Sequence, residues 1–126
     1  MSPETCAFVA CVQGAGAAAP VIPTTAHSST SSKGYMTAAN NFALAGGIVR
    51  SAVGVYNITL KDGLPEVFDI GPNIWGPNGT WATIADYNQT TKVVSVLVWA
   101  PGGAAADLAA TEFLRLDISG QLTVLP

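Results

Sequence analysis

The chain is 126 residues long, 49% hydrophobic and only 10% charged, with a formal net charge of −3. That length is one domain's worth and buries a sizeable core without disulfide staples. The basic residues Lys33, Arg50, Lys61, Lys92 and Arg115 are scattered, which excludes the basic stripe of a nucleic-acid-binding protein, and the apolar runs fall far short of the ~20 residues that span a bilayer.

In chain order, strand signals outnumber helix signals. Residues 5–13 are β-rich and end at Gly14-Ala-Gly-Ala17. Pro20 and Pro23 give the next stretch an extended character, and the Ser/Thr run at 27–32 reads as an exposed loop or arm. Residues 35–44 suit a short strand or a helical turn, broken by Ala45-Gly-Gly47. The clearest strand is 53–61, with Tyr56, Ile58 and Leu60 on one face and Val55, Asn57 and Thr59 on the other. After the Asp62-Gly63 turn, 67–70 is a short strand, followed by turns at Gly71-Pro72-Asn73 and Gly76-Pro77-Asn78-Gly79. Strands at 81–87 and 93–100 form a hairpin around 88–91. Residues 104–110 are a loop with at most one helical turn. In 113–118, Leu114, Leu116 and Ile118 point inward and Arg115 and Asp117 outward, and Ser119-Gly120 turns the chain into a last strand over 121–125.

About seven or eight short strands divided by Gly, Pro and Asn turns predict an all-β fold, an antiparallel β-sandwich or jelly roll. Composition divides it into an N-terminal strand and extended arm over residues 1–33 and a β-sandwich domain over 34–126. An average soluble domain is about a quarter charged. A surface this poor in charge suits a structural subunit packed against neighbours, including copies of itself.

The chemistry-bearing residues are few. Cys6 and Cys11, about 16 Å apart on a strand at ~3.3 Å per residue, are expected as free thiols. Gly14-x-Gly16-x-x-Ala19 has the outline of a dinucleotide fingerprint, but Pro20 interrupts the helix that would hold the pyrophosphate, so the segment reads as a linker. His27 beside Ser28–Ser32 could meet Asp86 or Asp107 as a hydrolase triad, yet it sits in a loop without rigid support and reads as solvated. The cysteines and His27 do not make a zinc set, and Asp62, Glu66 and Asp69 could at most hold a loose Ca²⁺, their simpler role being turn and edge solvation. No catalytic residue, cofactor or metal is expected. The sequons at Asn57, Asn78 and Asn88 read as chance products, since the N-terminus, with Glu4 and no positive n-region, does not fit a secretory signal. Trp75, Trp81 and Trp99 with Tyr87 form a candidate aromatic platform. A subunit contact is favoured over a glycan there, because aromatics are enriched at protein interfaces.

The segment Gly54-Val-Tyr-Asn-Ile-Thr-Leu-Lys-Asp-Gly63, then 93–100, then Phe113-Leu-Arg-Leu-Asp-Ile-Ser-Gly120, resembles a pattern in small tailed-bacteriophage virion proteins. In these a G-x-Y-x-x-x-L-x-D strand precedes a β-rich strand and an Ala/Asp loop. The resemblance covers roughly residues 47–125. It implies a β-sandwich or jelly-roll capsid decoration or cement protein, made in the host cytoplasm and placed on the virion surface against the major capsid protein, with no catalytic motif. Some such proteins sit on tails, where a module of this kind would bind host surface glycan. The interface candidates are then Pro20 and Pro23 of the arm together with Trp75, Trp81, Trp99 and Tyr87.

Overall fold

The computed structural model describes residues 5–23 and 41–121, and among them it contains strands and turns and no helix. The strands are β1 (Thr5–Gln13), β2 (Ala43–Ala52), β3 (Val55–Leu60), β4 (Glu66–Trp75), β5 (Trp81–Asn88), β6 (Val93–Trp99) and β7 (Phe113–Gln121). They form two antiparallel sheets, one ordered β1-β7-β4 and the other β2-β3-β6-β5. The all-β sandwich expected from the turn spacing is therefore the fold.

Alternation builds the core. Tyr56, Ile58 and Leu60 of β3, Val94, Val96 and Val98 of β6, and Leu114, Leu116 and Ile118 of β7 are all buried, while the residues between them face outward. Burying a side chain of this size is worth about 1.5–3 kcal/mol. Because the apolar set repeats every second residue, a one-residue slip would turn it to solvent, so the register is strongly specified.

Three expectations change. First, the division at residue 33 does not separate a strand-bearing arm from the sandwich. β1 pairs with β7 along its whole length and sends Ala10 and Val12 into the core. Its free edge is covered by Asn41, whose Oδ1 accepts from Cys11 N at 3.0 Å while Nδ2 donates to Cys11 O, and by Phe42 N, which donates to Val9 O at 3.0 Å. Residues 24–33, the rest of the proposed arm, lie outside the described residues. Second, Gly71-Pro72-Asn73 is strand, not turn: β4 continues to Trp75. Pro72 is tolerated because β4 is an edge strand, whose outer side needs no donor. Third, Ser119-Gly120 does not end β7. A Cβ at Gly120 would come within 2.6 Å of Glu66 O, so the glycine is there for close strand approach rather than for a turn. Residues 122–125 of the expected last strand lie outside the described residues.

Two smaller departures have the same origin. Residues 44–47, with the two glycines read as a break, bulge out of β2 opposite Thr59 while pairing resumes at Ile48. The 53–61 strand begins at Val55, after a turn in which Gly54 has φ 67°.

Candidate aromatic surface

The register brings three tryptophans to one end of the sandwich. Trp75, last in β4, stands opposite Phe113, first in β7, with ring centroids 6.0 Å apart and tilted by 55°. Trp81, first in β5, stands opposite Trp99, last in β6, stacked at 5.8 Å and 28°. Offset and tilted aromatic pairs of this kind are worth roughly 0.5–1.5 kcal/mol beyond their buried area. Residues 76–80 link Trp75 in one sheet to Trp81 in the other, so the two pairs are neighbours across the sandwich.

The elements behind the rings are rigid. Glu112 is buried, with Oε1 accepting from Ala109 N at 2.8 Å and Oε2 accepting from the hydroxyl of Thr80. It thereby ties the 76–80 loop to residues 109–112. Trp99 Nε1 donates to Thr83 Oγ1 at 3.1 Å, which fixes the indole's orientation. Leu108 plugs the core from the same end, and its N–H donates to the Tyr56 hydroxyl at 2.7 Å. Trp75 is 52% exposed and Trp81 47%. An open groove beside Trp75 is lined by Ile74, Gly76, Pro77 and Thr111. The result is a preorganised apolar surface offering indole faces, with little side-chain entropy left to lose on contact.

Other proposed site residues fall elsewhere. Tyr87 lies at the far end of β5 opposite the buried Val94, packs against the core, and has its hydroxyl buried without a hydrogen-bond partner. Six residues along a strand from Trp81, about 20 Å at ~3.3 Å per residue, it does not belong to the aromatic surface. Pro20 and Pro23 are buried rather than presented to a partner: Pro20 precedes Val21, which pairs back onto Gln13.

The Gly14–Ala19 segment opens no helix. Gly14 N donates to Glu112 O at 2.9 Å and Gly16 N to Leu108 O at 3.0 Å, so these amides are already used. Asp107 is held by Arg50 and Asp86 lies on the outer face of β5 opposite Ser95, while His27 and Ser28–Ser32 lie outside the described residues. Asp62, Glu66 and Asp69 do not converge; no group of three His, Cys, Asp or Glu that could hold a metal ion occurs among the described residues. Cys11 is buried as a free thiol, as its strand position suggested. Sequence reasoning missed Phe113, Thr80 and Glu112. Only the cross-strand register reveals that Phe113 backs Trp75.

No protein-family model, curated protein or solved structure matches the chain.

Proposed function

We propose that this chain is a structural virion protein that binds the outside of a phage capsid and cements neighbouring capsomers, with the major capsid protein as its partner. The observation that carries this reading is the rigid aromatic surface at one end of the sandwich, where Trp75 and Trp81 stand about half exposed on fixed strand ends. Half-exposed indoles in a chain with 10% charged residues favour contact with another protein over solvation. The resemblance in 54–63 and 113–120, which fall on β3 and β7 with their flanking turns, supplies the phage context. Each copy would gain about 25 cal/mol per Å² of apolar surface covered, less ordering and association costs, so weak contacts repeated by symmetry suffice.

A second reading, a tail- or fibre-associated module binding host surface glycan, draws on the open groove beside Trp75, since an exposed indole can stack on a sugar ring. Quantitative peptide mass spectrometry on gradient-purified particles, referenced to the major shell protein, separates the two. Copies comparable in number with the shell subunits support the cement role. A handful per particle favours the tail module, and absence from particles overturns both.

A further inference from the structure

The two outer faces of the sandwich differ in charge. Cross-strand partners share a face, so the register places Glu66, Asp69, Arg115 and Asp117 together on the outside of the β1-β7-β4 sheet. There Arg115 pairs with Asp117 at 2.9 Å, and Asn73 Nδ2 donates to Asp117 Oδ2 at 3.2 Å. That face is built for water.

The β2-β3-β6-β5 sheet is different. Its outer face carries Val49, Val55, Leu97, Trp81 and Trp99, with Asp86 on the edge strand β5 as its one charge among the strand residues. Its central polar groups are already satisfied by each other: Ser95 Oγ donates to Asn57 Oδ1 at 2.8 Å, and Trp99 Nε1 donates to Thr83 Oγ1. Covering this face strips little water from unpaired polar groups, which removes the usual desolvation cost. Yet Val49 remains 50% exposed.

We propose that two copies of this chain associate through the outer faces of their β2-β3-β6-β5 sheets. Charge and shape both point to a second copy as the occupant. At net charge −3, a copy is repelled by any surface rich in carboxylates, and this face has the fewest. Twisted sheets stack on sheets of the same twist at about 10 Å and roughly −30°, a condition that an identical sheet meets. Four strands about 4.8 Å apart and some seven residues long at ~3.3 Å rise give a plate of roughly 19 by 23 Å. Even with side-chain relief this lies at the small end of specific interfaces, about 1,200 Å² or less in total, so the association is a weak, reversible one. It stands independently of the capsid reading.

Sedimentation equilibrium of the full chain tests it, over roughly 1 μM to 1 mM, the range in which small interfaces assemble. The wild type shifts from monomer to dimer within that range. Leu97→Lys and, at the more exposed position, Val49→Lys each weaken association tenfold or more, while Asn73→Lys on the charged sheet leaves it unchanged. Circular dichroism checks that each variant is folded; should Leu97→Lys not fold, Val49→Lys carries the comparison. A wild type that stays monomeric throughout, or association broken by Asn73→Lys and spared by Val49→Lys, overturns the proposal. A chain that dimerises but is missing from particles overturns only the capsid reading.

Discussion

Arg50 grips Asp107 at two points, Nε on Oδ1 and Nη2 on Oδ2, each at 2.9 Å. Oδ1 also accepts from Gly54 N at 3.0 Å and from the Tyr56 hydroxyl at 3.3 Å. Since the same hydroxyl accepts from Leu108 N, a single carboxylate fastens the loop that closes the aromatic end to the β2–β3 hairpin.

This carboxylate makes stability depend on acid. The Arg50 hydrogen bonds hold the Asp107 carboxyl below the ordinary aspartate range against the opposing pull of burial, with Gly54 N–H and the Tyr56 hydroxyl assisting. A depressed folded-state pKa gives stabilisation that is complete above the unfolded value, about 3.9, and is lost as pH falls through the folded one. In urea titrations the wild type is therefore expected to exceed Asp107→Asn in midpoint at pH 7, with the gap closing below about pH 4. A gap that persists to pH 2 would count against this account.

Cys11 is expected to be chemically silent. Burial pushes its thiol up to about 11, with Arg115 pulling the other way. A raised folded-state pKa stabilises fully below the ordinary thiol value, and that contribution fades as pH climbs toward 11. In a Cys6→Ser background, alkylation at pH 8 should run about a hundredfold slower in the folded protein than in urea, from the smaller thiolate fraction alone. Equal rates would show that the thiol is accessible.

The N-terminal strand should prove indispensable to folding. Removing residues 1–33 takes away β1, strips Ala10 and Val12 from the core and leaves β7 with an open edge. The truncated chain is expected to lose its cooperative urea transition. A retained sharp transition would return β1 to the status of a detachable arm.

Where a side chain points was legible wherever alternation was clean. Tyr56, Ile58 and Leu60, and likewise Leu114, Leu116 and Ile118, are buried as their spacing implied. Glycine and proline misled, because the same residues serve turns and strands alike. Pro72 sits harmlessly on an edge, Gly120 admits a neighbouring backbone, and Gly46 and Gly47 lie in a bulge. The candidate site was half legible: Trp75 and Trp81 flank a turn-rich loop in the sequence itself. Phe113 behind Trp75 and Glu112 beneath Thr80 lie tens of residues away and left no local trace.

The sequence by itself determined the all-β class, the inward and outward faces of β3, β6 and β7, and the scarcity of charge, because side-chain alternation and composition are local properties. Only the tertiary structure decided that β1 belongs to the sandwich and that three tryptophans gather at one end while Tyr87 does not. It alone separated a charged sheet face from a nearly uncharged one. Those outcomes depend on which strands pair and in what register, and pairing is chosen by the burial of all the apolar faces together rather than by any single segment.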